Sequence, residues 1–181
     1  MKKTILLFGL ISGLIVSTFM ATSMAIMASG PNGCEPGVGS MIVGYASMLA
    51  AFSFVFVGIR QYRDKQNGGT ITFGKGLWIG LAISFIASTL YVITWAVEFH
   101  LFLPGFMDQY AEMQVKELQQ SGVSGAAYDS ALNEIESMAD AYKHNGLVFA
   151  LYTYMEIFPV GILVSLIAAL VLKRKTKKAI Q

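Results

Sequence analysis

GLVFALYTYMEIFPVGILVSLIAALVL, residues 146–172, is apolar over its whole length except for one carboxylate, Glu156. A helix rises about 1.5 Å per residue and hydrocarbon is about 30 Å thick, so about 20 such residues cross a bilayer. An ordinary core helix of a soluble domain does not need so many. Working outward, three more uncharged runs of the same kind precede it: Thr4–Met27, Val38–Ile59 and Leu77–Val97. Glu156 is the only charged side chain inside any of the four. The expectation is an all-α integral membrane protein, a single four-span domain over residues 1–181, arranged as an up-down four-helix bundle.

Composition agrees. The chain is 55% hydrophobic and 13% charged, against about 25% charged in an average soluble chain. One cysteine, Cys34, excludes an internal disulfide and a CxxC site. No Gly-rich phosphate loop, HExxH helix or GxSxG elbow is present, so no cofactor, metal or catalytic residue is expected and the protein is read as not an enzyme. The basic residues border the spans and are not interleaved with exposed aromatics, which argues against nucleic acid.

Lys and Arg resist translocation, so short loops rich in them stay in the cytoplasm. Lys2 and Lys3 precede the first span, Arg60, Arg63, Lys65 and Lys75 lie between the second and third, and Lys173, Arg174, Lys175, Lys177 and Lys178 follow the fourth. The alternate side carries Lys116 and Lys143 against Glu35, Glu98, Asp108, Glu112, Glu117, Asp129, Glu134, Glu136 and Asp140. Both termini are therefore expected in the cytoplasm. The first span follows a Met-Lys-Lys start but is longer than a signal-peptide core of about 7–15 residues, which predicts a retained helix. Pro31 in Pro31–Asn32–Gly33–Cys34 stands where a lipoprotein box wants an aliphatic residue, so lipidation is not expected. The basic tail is read as a stop-transfer flank that can also meet anionic headgroups.

Between the third and fourth spans, residues 98–145 form the one sizeable polar segment. Leu101–Phe102–Leu103–Pro104–Gly105–Phe106 reads as an interfacial turn, and Ser121–Gly122–Val123–Ser124–Gly125 as a helix breaker. Tyr128, Ala131, Leu132, Ile135, Met138 and Tyr142 recur at helical spacing, with Glu134, Glu136 and Asp140 opposite. The segment is expected to be an extracytoplasmic helical hairpin capping the bundle. Small residues at four-residue steps mark one packing face per span: Gly9, Gly13, Ser17, Ala21 and Ala25 in the first, Ser40, Gly44, Ser47 and Ala51 in the second, Gly76, Gly80, Ser84 and Ser88 in the third, Gly161, Ser165 and Ala169 in the fourth. Such faces let helices approach closely in lipid, within one bundle or across a homo-oligomer seam, and the first is favoured.

A carboxylate carried into hydrocarbon costs about 2.5–3.5 kcal/mol on insertion scales, so Glu156 should face protein or water. Tyr91, Thr94 and Trp95, near the end of the third span, are the candidate hydrogen-bond partners, and Pro159 loosens the helix beside it. Either a structural interhelical bond or a proton or cation relay fits these residues. Glu98, His100 and His144 are a weaker metal constellation, because Glu98-x-His100 does not place both groups on one helix face.

Tyr62–Arg63–Asp64 after the second span, the Gly69-x-Ile71-x-Phe73-x-Lys75 approach to the third, and Glu156–Ile157–Phe158–Pro159–Val160–Gly161 ahead of a Leu-rich run and Lys173–Arg174–Lys175 stand in a characteristic order. With Met1–Lys2–Lys3 and Gly44–Tyr45, the chain resembles the bacterial four-helix membrane family catalogued as domain of unknown function 4199. The resemblance implies a bacterial cytoplasmic membrane location and carries over no catalytic or binding residue. The functional expectation is a non-enzymatic accessory or interaction subunit, in contact with lipid and with a membrane-protein partner or a second copy. The alternative is a small transporter or channel using Glu156.

Overall fold

The computed structural model describes residues 1–28 and 38–174, and these form six helices with no strand. They are α1 (Lys2–Ala28), α2 (Val38–Gln66), α3 (Phe73–Leu101), α4 (Phe106–Gln120), α5 (Ala126–His144) and α6 (Gly146–Leu172). Four stretches are long and apolar enough to cross a membrane: Lys2–Ile26, Ile42–Gln66, Phe73–Leu101 and Gly146–Leu172. The second and third helices outrun the expected spans, because their polar ends are held by local hydrogen bonds. α2 continues through Arg60–Gln66 and stops at Asn67–Gly68–Gly69, where both glycines take positive φ (62° and 78°). There Gly69 N–H donates to Arg63 O at 2.8 Å and Asn67 Nδ2 to Thr70 O at 2.6 Å. Thr72 then caps α3, accepting from Lys75 N–H at 3.4 Å. Cys34 and the Pro31–Cys34 segment lie outside the described residues, as do Lys175, Lys177 and Lys178 of the basic tail.

α3 is the hub. It packs on α1, α2 and α6, and α2 also packs on α1 and α6. Three of the expected small faces, on α1, α3 and α6, form the two close seams. A Cβ added at Gly9 would lie 2.8 Å from Ile86 Cβ, and one at Gly13 2.5 Å from Leu90 Cδ1, so α1 rests backbone-close on α3. A Cβ at Gly80 would lie 2.9 Å from Ser165, and one at Gly161 2.7 Å from Ser84. At that crossing Ser165 Oγ donates to Gly161 O (2.7 Å) and Ser84 Oγ lies 3.1 Å from Ser165 Oγ, a hydrogen-bonded knot with no water-facing atom. The expected face of the second span is corrected in part. Of its residues Ala51 is fully buried but Gly44 meets nothing within 4 Å, and the packing is carried by Phe52, Val55 and Ile59, also fully buried, while Gly58 abuts Phe8 and Ile83. α2 thus packs with large side chains into the space that glycines on its neighbours leave.

One end of the bundle is tied by polar contacts. Gln66 Nε2 donates to Thr4 Oγ1 at 2.7 Å, and Arg63 Nη1 donates to Leu172 O at 3.3 Å. Ile71 and Arg174 exchange backbone hydrogen bonds of 3.0 and 2.9 Å as an isolated antiparallel bridge. At the other end α4 and α5 pack on each other and α5 on α6. Gly122 and Gly125, both at positive φ, make the break between α4 and α5. Only Asn145 separates α5 from α6, and its side chain caps α6 by accepting from Leu147 N–H and Val148 N–H. Lys143 pairs with Asp108 at 2.7 Å, fastening α5 to the start of α4.

Candidate functional site

Under the α4–α5 flap the bundle holds a half-open cavity of about 300 Å³. Each wall comes from residues about one turn apart, the spacing that puts two side chains on one helix face. α1 supplies Met20 and Met24, and α3 supplies Tyr91 and Trp95. The flap supplies Phe106, Met107 and Tyr110 from α4, and Met138 and Tyr142 from α5. α6 closes it with Tyr152, Thr153 and Glu156. Glu156 stands ten residues into α6, about 15 Å along the axis from its flap end.

The polar groups of the wall fall into two sets. In the first, Trp95 Nε1 donates to Tyr142 Oη at 2.8 Å. Thr153 Oγ1 commits its proton to Phe149 O at 2.8 Å, so the 3.3 Å contact between Tyr142 and Thr153 has the phenol as donor. That chain, indole to phenol to hydroxyl to carbonyl, couples α3, α5 and α6 and leaves none of its protons spare. Around it Trp95 meets Phe106 edge-on at 5.2 Å, and Tyr142 meets Phe99, Phe149 and Tyr152 at tilted or edge geometry. Burial holds the Tyr142 phenol above its ordinary value, and the carboxyl of Glu156 across the cavity adds to the shift.

The second set is Tyr91 and Glu156. Tyr91 Oη donates to Glu156 Oε1 at 3.2 Å, joining α3 to α6. Oε2 takes no hydrogen bond from a described residue, and no described Lys or Arg pairs with the carboxyl. Glu156 remains accessible at the cavity wall. Of the three partners expected for it, Tyr91 is in hydrogen-bonding contact. Thr94 and Trp95 are corrected: Thr94 makes no side-chain hydrogen bond among the described residues, and the Trp95 donor is turned to Tyr142. Residue 95 lies one turn nearer the flap than residue 91, so its indole meets α5 before it can reach Glu156. α6 runs helical through Pro159.

Glu98, His100 and His144 do not assemble. Among the described residues no group of three His, Cys, Asp or Glu converges on a common point. His100 Nδ1 lies 2.8 Å from Ala96 O and His144 Nδ1 2.9 Å from Asp140, each engaged on its own helix.

Sequence reasoning missed the methionines of α1 and the α4 aromatics as cavity walls. Met20 and Met24 are an i, i+4 pair, but the same helix also carries the small-residue face, and that pattern drew the reading. Met138 and Tyr142 were expected to pack in the hairpin stripe, and they also face the cavity.

The family described as Protein of unknown function (DUF4199) matches residues 7–174. The chain belongs to this family. The match runs from the second turn of α1 to the bridge at Arg174, so every residue lining the cavity lies within the DUF4199 region. No curated protein and no solved structure matches the chain.

Proposed function

We propose that this protein is a non-enzymatic accessory subunit of the bacterial cytoplasmic membrane whose working end is the flap-covered cavity. The observation that carries the reading is the flap itself, two helices laid over a methionine- and aromatic-walled cavity in the end of the bundle. The indole and hydroxyl donors of its first hydrogen-bonded set are committed to one another, which suits holding a ligand or partner better than activating one. The four spans run up and down, with both termini cytoplasmic and the α4–α5 hairpin extracytoplasmic. Supporting this orientation, residues 1–4, 60–75 and 172–174, with their excess of Lys and Arg, meet at the tied end, while the acidic segment lies at the flap end. Lipid surrounds the bundle, and the partner is a second membrane protein or a second copy. Nucleic acid has no footprint to meet.

The test places a photo-crosslinking residue at exposed Val123, at the tip of the flap, and separately at Lys65 at the tied end, in native membranes. A discrete adduct from position 123 alone supports the subunit reading. A second reading, a small transporter or channel, is favoured by one observation, the accessible carboxyl of Glu156. Proteoliposomes that pass protons or cations, with the flux abolished by Glu156→Gln, together with no flap adduct, overturn the first reading in favour of the second.

A further inference from the structure

The cavity wall offers an acceptor without a cation. Glu156 Oε1 receives only the Tyr91 phenol, Oε2 receives nothing from the described residues, and Lys143, the one described lysine of α5, is spent on Asp108. Tyr91, Trp95 and Tyr152 line the same cavity as this carboxyl, and aromatic rings attract cations through their quadrupole. The indole N–H is turned away to Tyr142, so the ring is fixed without offering its donor to a ligand. Methionine side chains complete an apolar, adaptable lining.

We infer that the cavity binds an organic cation with an apolar body, a substituted ammonium whose charge lies against Glu156 and whose carbons lie among the aromatic and methionine side chains. An inorganic cation fits poorly. Ca²⁺ and Mg²⁺ want about six or more oxygens, and the wall supplies one carboxylate and a few phenols. An anion meets a carboxylate and aromatic faces, both repulsive. The volume of about 300 Å³ sits at the small end of ligand cavities, room for a headgroup or a small amine and not for two acyl chains. The charge and shape are shared by a free alkylated amine and by the headgroup of an amine-bearing lipid. The inference rests on the flap end being the working end, but crosslinking at Val123 and cation binding at Glu156 are read separately, so either can fail alone.

Trp95 reports on the site once Trp78 is replaced by Phe. Trp78 is 61% exposed and seventeen residues away, about 25 Å along the helix. The full chain in detergent is titrated with benzyltrimethylammonium and with its uncharged carbon isostere, neopentylbenzene. A saturable change in Trp95 emission is expected with the cation, weakened about tenfold or more for the isostere and for Glu156→Gln, and largely kept by Glu156→Asp. Equal affinity for cation and isostere on the parent chain overturns the inference without recourse to any variant. So does the absence of a saturable change, or a folded Glu156→Gln protein that binds like the parent. Repeating the titration in nanodiscs assigns the source. At one fixed fraction of phosphatidylglycerol, which holds the surface charge constant, weaker apparent binding with phosphatidylethanolamine than with an uncharged glycosyl diacylglycerol in its place means that the lipid headgroup competes for the site, and equal binding means that a free amine is the occupant.

Discussion

Gly161 of α6 and Ser84 of α3 are so close that a Cβ on the glycine would lie 2.7 Å from the serine Cβ and 3.1 Å from the ring edge of Phe52. Three helices therefore meet at one hydrogen atom's width. Gly161→Leu should lower stability in detergent by about 1–3 kcal/mol, the usual range for overpacking. Gly44→Leu, with open space around it, should melt like the parent. A thermal melt in which Gly44→Leu is the more damaging would mean that α2 packs through its small residues after all.

Arg63 is buried and caps α6 from α2 by its bond to Leu172 O. The last carbonyls of a helix have no partner within it, and a guanidinium supplies one. Arg63→Leu should cost about 1–2 kcal/mol in a denaturant series in mixed micelles. Asp64→Asn should cost far less, because Asp64 is exposed and only steadies the arginine. Similar losses for the two variants would point to the ion pair, and not the cap, as the stabilising contact.

Tyr142 should titrate late. Its phenol is shifted up from 10.0 chiefly by burial, so the folded state keeps the proton after the unfolded chain has lost it. The stability tied to that proton is fully present below the unfolded pKa and is lost as pH rises through the folded one. Alkaline difference spectroscopy at the phenolate band should show a late component that Tyr142→Phe removes. If Tyr142→Phe instead removes an early component, the phenol is wet and the flap does not seal over it.

Cys34, the single cysteine, tests the orientation. With a cytoplasmic N-terminus it follows the first span on the outside, so a membrane-impermeant thiol reagent should label intact spheroplasts and Cys34→Ser should abolish the signal. Labelling only after lysis reverses the topology.

The spans were legible because a long apolar run has one reading in a bilayer, and the breaks at Pro104–Gly105 and Ser121–Gly125 because glycine and proline act locally. The seams of α1, α3 and α6 were legible for a related reason: four-residue steps of Gly and Ser describe a surface before its partner is known. The face of α2 was not. Phe52, Val55 and Ile59 are as apolar as the residues that face lipid, and apolarity cannot separate inside from outside when the solvent is itself hydrocarbon. The same ambiguity hid Met20 and Met24 of the cavity wall. Glu156 stood out in the sequence because charge is rare there, yet its partner could not be chosen among Tyr91, Thr94 and Trp95. That choice depended on where α5 came down, a distance set by packing between helices remote in sequence.

The bridge between Ile71 and Arg174 has a consequence for the order of assembly. The ribosome delivers α6 after α1, α2 and α3, so the backbone groups of Ile71 and the Nη1 donor of Arg63 lack their partners, Arg174 and Leu172, until that helix has inserted. α1, α2 and α3 can associate early, but they wait as an open trough. The strap closes only when residue 174 arrives, which makes insertion of α6 and closure of the bundle the same event.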